Sequence, residues 1–426
     1  MSQQRAQAND HISQGGVSDP FAADCGLLDP SAPSPHVRGF RFSGISSGIK
    51  SSGAADLGII AAAPGTQCAG LFTQNQIIAA PVTLSRARLE ADPTVRAVVV
   101  NSGNANACTG TQGEADALEM GQLVSEALQL STAQVQVSST GVIGAPLPMD
   151  VIRAGTPRAV AALSESGLID FAEAICTTDT RRKVSAAAVE IDGVRYQIAG
   201  ASKGAGMIHP NMATMLAFIC SDAPVDAVSM AGLWREVCGR SFNAISVDGD
   251  TSTNDCALLL CSGAAGGAPL RGQALARWGE ALEGVALALA LSIAGDGEGV
   301  NHLVAFQING ARTQAEARQV ADTVALSPLV KTAIHGRDPN WGRIIAAAGR
   351  SGVMLEPERL SLEIASVPIY IRGGWEGSEA ERAASARMDA TRYTISLDLN
   401  LGNESFTRYG TDLSAEYVRI NADYRS

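Results

Sequence analysis

The sequence predicts a layered α/β (α+β) fold in which hairpins and helices mix, not a doubly wound sheet. Three observations predict it. Short apolar runs such as LGIIAAA, CAGLFTQ and VRAVVVNSG stand between Gly, Pro and Asn, as buried strands do. GEADALEMGQLVSEALQL has helical periodicity, and Asp192-Gly193 between two alternating runs is the signal of a type I′ hairpin. A chain of 426 residues, 46% apolar, can fill a sizeable core. With 4% aromatic residues and 44 glycines, that core must be Ala, Val, Ile and Leu on closely approaching backbones.

Residues 1–35 are polar and rich in Ser, Pro and Asp, so a mobile N-terminal extension is expected there, with order starting near VRGFRFSGISSGIK. The three strand runs and the first helix follow. AQVQVSSTGVIG returns to strand character, and MDVIRAGTPRAVAALSESGLIDFAEAIC reads as helices interrupted near Pro157. The hairpin SAAAVEIDGVRYQIAGASKG comes next, then TMLAFICSDA as a buried strand, VSMAGLWREVCGRSF as a helix and ALLLCSGAAG as a strand. GQALARWGEALEGVALALALSIA is a long helix, read as buried and amphipathic rather than bilayer-spanning. The last third repeats the mixture.

A net charge of −11, from 32 basic and 43 acidic residues, disfavours a nucleic-acid partner. Eight cysteines without a CxxC pair read as buried free thiols, and five scattered histidines give no metal-ligand spacing. No apolar leader opens the chain, so a soluble cytoplasmic protein without a membrane partner is expected. The GxGxG of AGDGEGVNH follows a predicted helix, which argues against a dinucleotide fingerprint. DGDTSTND carries Asp248 and Asp250 but lacks a third ligand and the turn glycine of a calcium loop, and reads as a polar turn. Arg181, Arg182 and Lys183 read as a solvated turn before the hairpin.

KGAGMIHPNMATMLAF sets Thr214 after a small residue, Ala213. A threonine freed as an N-terminus carries nucleophile and base together, because an α-amine of reference pKa about 7.7–8.0 can accept the hydroxyl proton. Such a chain must first cut itself: the hydroxyl attacks the preceding carbonyl, the amide becomes an ester, and water parts the halves. From spacing alone, a buried structural threonine explains Ala213-Thr214 better than a nucleophile does.

That stretch, with GFRFSGISSGIKSSGAADL, NSGNANACTG, SSTGVIG, SFNAISVDGDTSTND, KTAIHGRDPNWGRIIAAAGRSG and YVRINADYRS, closely resembles the ArgJ family, the glutamate N-acetyltransferase/ornithine acetyltransferases of arginine biosynthesis. The blocks run from about Gly39 to the C-terminus; 366–389 matches less well. The resemblance implies an N-terminal-nucleophile-like sandwich of the ArgJ/DmpA type. It also implies self-cleavage between Ala213 and Thr214 into an α chain (36–213) and a β chain (214–426) that associate as α2β2 or higher. Thr214 takes the nucleophile's place, and Thr140 and Gly141 that of the oxyanion hole. Thr177, Lys203, Thr214, Glu298, Asn421 and Ser426 match substrate contacts; Ser426 keeps the hydroxyl of the family's usual Thr.

The resulting expectation is acetyl transfer from N-acetylornithine to glutamate through an acetyl-Thr214 intermediate, with no metal or organic cofactor. Transfer from acetyl-CoA is expected to be weak, since the acidic chain shows no basic cluster beyond Arg181, Arg182 and Lys183. The alternatives are a bifunctional enzyme that also uses acetyl-CoA, a related N-terminal-threonine amidase or aminopeptidase, and an uncleaved binding protein.

Overall fold

The computed structural model describes residues 19–22, 27–29, 32–209 and 215–423. Its strands form three sheets. The first contains β1 (Phe40–Ile45), β2 (Leu57–Ala62), β4 (Ala97–Asn104) and β5 (Val135–Val142), in the order β1-β2-β4-β5. The second contains β3 (Gln67–Phe72), β6 (Lys183–Ile191), β7 (Val194–Lys203), β8 (Leu216–Ser221) and β9 (Cys256–Cys261), in the order β3-β9-β8-β7-β6.

Alternation of side chains makes these two sheets a sandwich. Phe40, Val98 and Val100 of the first sheet meet Leu216, Phe218, Leu258 and Leu260 of the second in one buried cluster. The outer face of the first sheet, with Ile59, Val99 and Val137, packs on α1 (Ala80–Ala91), α2 (Gly110–Leu128) and α3 (Met149–Ala161). On the outer face of the second, Ala217, Ile219 and Leu259 share a core with Trp234 of α5 (Ala227–Arg240) and Leu282 and Leu289 of α6 (Gly272–Gly295). Both faces of β8 are therefore covered, which is why LAFICS is apolar throughout rather than alternating.

A six-stranded sheet extends that last core: β10 (Leu303–Ala311), β11 (Ser361–Ile364), β12 (Val367–Ile371), β13 (Gly374–Trp375), β14 (Arg392–Asp398) and β15 (Glu404–Thr411). The poorly matching segment 366–389 supplies its edge strand β13, the adjacent β12 and the helix Ser378–Arg387.

Asp192 (φ 50°) and Gly193 (φ 76°) form the expected two-residue turn, with Ile191 opposite Val194. The long helix α6 is buried, as expected, through Trp278, Leu282 and Val285 in its first part and on every side from Ala288 to Ala294.

Two expectations are corrected. Helix α3 runs through Pro157 unbroken, and the interruption comes after Ala161, before α4 (Leu168–Ala174). Pro157 lies on the exposed face, next to Arg153 and Arg158, so the carbonyl that loses its donor faces water. Within 1–35, the described residues make specific contacts with the rest of the chain. Leu28 donates its N–H to Val184 at 3.0 Å, Phe21 meets Tyr409 edge-on, and the Tyr409 hydroxyl donates to the Pro20 carbonyl. Lys183 is not solvated: its side chain has no exposed area and lies between Asp179 and Asp296.

Candidate active site

A small cleft opens at the end shared by the two stacked sheets. β5 brings Thr140 and Gly141 to it, and β7 ends there at Lys203. Thr177 and Thr178 enter from the turn after α4, Ser252, Thr253 and Asn254 from the approach to β9, Glu298 from the turn after α6, and Asn421 from the helix Ala415–Asp423. Six residues singled out in the sequence, Thr140, Gly141, Thr177, Lys203, Glu298 and Asn421, thus share one cleft. Ala213, Thr214 and Ser426 lie outside the described residues.

Local irregularity shapes the hydroxyl-bearing wall. The β4–β5 register slips at Asn104 opposite Thr140, a bulge of the kind that re-aims side chains. Gly141 has φ 134°, and a Cβ there would stand 2.3 Å from the carbonyl carbon of Gly103, so only glycine fits. The Lys203 ammonium donates to the Thr140 hydroxyl at 3.1 Å. With its oxygen accepting that bond, Thr140 is left to turn its own O–H toward the cleft.

Charge in the cleft is sparse and paired. Lys203 is fully buried; burial pushes its ammonium down, and the Asp179 carboxylate pulls it back up. Burial alone would raise Asp179, but Lys203, Lys183 and the Gly204 N–H hold it down to about 2. Burial and the Asp179 charge push the Cys176 thiol up to about 12, so it stays protonated. Across the cleft, Asn421 donates to Glu298 at 3.0 Å. Gly206 makes room for that carboxylate: a Cβ there would lie 2.5 Å from a Glu298 oxygen. The arrangement offers a cation, an anion and a hydroxyl donor to one small molecule.

The sequence reading missed the contribution of DGDTSTND. Asn254 donates to the carbonyls of Ala105 and Ser139 and so ties the β4 and β5 ends to the approach to β9. Asp248 accepts the N–H groups of Met207 and Ile208 and braces the wall after Lys203; it is a polar turn, as expected. The available signal was a run of four small polar residues, Ser252 to Asp255, leading straight into the apolar CALLLC.

Two sheets stacked face to face between helices, with a polar cleft at their common end, define a layered α/β protein built around a small-molecule site. The chain belongs to the ArgJ family, whose family model matches residues 41–426. The arginine biosynthesis bifunctional protein ArgJ of Geobacter sulfurreducens is 47% identical over 393 residues, covering 92% of this chain and 100% of that protein. The protein of the same name from Bacillus anthracis is 42% identical over 392 residues, covering 91% and 96%. A crystal structure of the bifunctional ArgJ of Bacillus halodurans is similar at 37% identity and a TM-score of 0.47, covering 49% of this chain and 98% of that one.

Proposed function

We propose that the protein is a glutamate N-acetyltransferase of arginine biosynthesis that moves acetyl from N-acetylornithine to glutamate through an ester on Thr214. The reading is supported by membership of the ArgJ family and by relatives named as arginine biosynthesis proteins. The observation that carries it is the convergence of Thr140, Gly141, Thr177, Lys203, Glu298 and Asn421 on one cleft.

In this reading the chain first cuts itself at Ala213–Thr214, giving an α chain (36–213, behind the extension 1–35) and a β chain (214–426) that associate as α2β2 or higher. The freed Thr214 amine takes the proton of its own hydroxyl, which attacks the acetyl carbonyl. Thr140 and the Gly141 N–H face the oxyanion. Lys203 faces the α-carboxylate common to both amino acids, and Glu298, steered by Asn421, faces an amino group; Thr177 and Ser426 add polar contacts. Ornithine leaves, glutamate enters the same contacts, and its amine takes the acetyl. One cleft therefore serves two substrates in turn, with no metal or organic cofactor. A cytoplasmic setting, with no nucleic-acid or membrane partner, belongs to the same proposal.

The relatives' description as bifunctional favours a second activity, for which we name acetyl-CoA as a further acetyl donor. The test is to add N-acetylornithine without glutamate and map the adduct. An acetyl increment on Thr214 and parallel double-reciprocal lines are expected. Intersecting lines with no labelled peptide overturn the covalent route.

A further inference from the structure

Beneath the cleft lies a charge cluster that the mechanism above does not use. Lys183 donates to Asp179 and to Asp296, each at 2.6 Å, and the three side chains are 0%, 0% and 4% exposed. Removing such charges from water is costly unless their bonds are fulfilled, and here they are. Asp179 also accepts the N–H of Thr177 at 2.9 Å and of Gly204 at 2.7 Å. Asp296 accepts the N–H and the hydroxyl of Thr180, and stands two residues before Glu298. The cluster is thus bonded to, or directly adjoins, the three segments that carry Thr177, Lys203 and Glu298 into the cleft.

We propose that Asp179, clamped by Lys183 and Asp296, is a positioning residue for this cleft: it fixes the Thr177 and Gly204 backbones and supplies the negative charge that keeps Lys203 an ammonium for the substrate carboxylate. This rests on the reading of Lys203 as the carboxylate contact. A fully buried ammonium needs such a counter-charge, because burial favours the neutral amine. Besides Asp179, the ionisable groups acting on Lys203 are Cys176 from the turn after α4, Lys183 from β6, Asp255 before β9 and Lys50 from the loop after β1. Lys183 opposes the ammonium and Asp179 favours it, so the two have opposite signs.

That opposition gives the test. Glutamate affinity is measured by calorimetry between about pH 6 and pH 10 for the whole protein and for Asp179→Asn, Lys183→Met and Lys203→Met; the ligand's own titrations are common to all four. Binding through Lys203 weakens as pH rises through its pKa, by about tenfold per pH unit beyond it at most. Asp179→Asn removes an attractive charge and should move this loss to lower pH. Lys183→Met removes a repulsive one and should move it to higher pH. A cluster that merely supports the fold would weaken binding in both variants at every pH, and that result overturns the proposal. If one variant fails to fold by thermal melting, the direction of the other's shift decides. Unchanged affinity in Lys203→Met would overturn the carboxylate contact itself; weakened affinity there with no shift in the other two would overturn only the role of Asp179.

Discussion

The Asp255 carboxylate accepts the backbone N–H of Met215 at 3.0 Å, so a fully buried acid holds the residue directly after Thr214. Burial pushes this acid well above its ordinary value of 3.8, although the Met215 N–H and the Lys203 charge pull the other way. A group whose folded pKa is raised costs no stability below the ordinary value, and stability is lost as pH climbs toward the folded value. Asp255→Asn keeps a carbonyl oxygen for Met215 and cannot ionise. Its melting temperature should therefore fall less than the wild type's between about pH 5 and pH 8. Parallel melting curves across that range would remove Asp255 from this role.

Cleavage between Ala213 and Thr214 is expected to give two fragments of 213 residues each from the 426. Intact-mass spectrometry with N-terminal sequencing resolves them where a gel would not. Thr214→Ala should stay one chain and be inactive, whereas Thr214→Ser should cleave and keep partial activity. An active enzyme that remains full-length would refute the self-made nucleophile.

Thr140→Ala should depress kcat by about 100-fold with little change in KM, since losing one oxyanion donor costs on the order of 3 kcal/mol. Thr140→Ser, which keeps the hydroxyl beside Lys203, should recover most of it. Equal kcat in wild type and Thr140→Ala would take Thr140 out of the oxyanion hole.

Gly141→Ala places a methyl group against the Gly103–Asn104 backbone at a positive φ. Strain of about 1–3 kcal/mol, or displacement of the β5 end, is expected. The checks are a lowered melting temperature and slower acetyl transfer. A variant as stable and as active as the wild type would mean that the backbone at this position yields freely.

Supplying glutamate with either N-acetylornithine or acetyl-CoA and measuring N-acetylglutamate decides the number of donors. The acidic sequence leads to the expectation of strong transfer from the first and little from the second; the relatives' description as bifunctional leans the other way. Comparable rates would establish the bifunctional reading and leave the covalent route intact.

What the sequence made legible was local or motif-borne. The Asp192-Gly193 hairpin needs only its own ten or so neighbours, and Thr140 and Lys203 stood in motifs quoted for the family resemblance. Lys183 was misread because its second partner, Asp296, lies 113 residues away, and nothing adjacent shows that an Arg-Arg-Lys run turns its last member inward. Pro157 was misread because the tolerance of a helix for proline depends on which face meets water. The clamp made by Asn254 could not be read because Ala105 and Ser139 are 149 and 115 residues distant.

The order β3-β9-β8-β7-β6 weaves the chain across the proposed cut. β8 and β9 follow position 214, β3, β6 and β7 precede it, and the later pair is flanked by β3 on one side and β7 on the other. Severing one peptide bond therefore frees nothing: the two pieces remain laced together by two ladders of backbone hydrogen bonds and a common interior. It also sets an order of events. Under the proposed cleavage the lacing is expected to precede the break, because either piece made alone would present raw strand edges prone to aggregate. Under the proposed cleavage, maturation is thus a one-way act, in which a finished sheet loses a link it no longer needs.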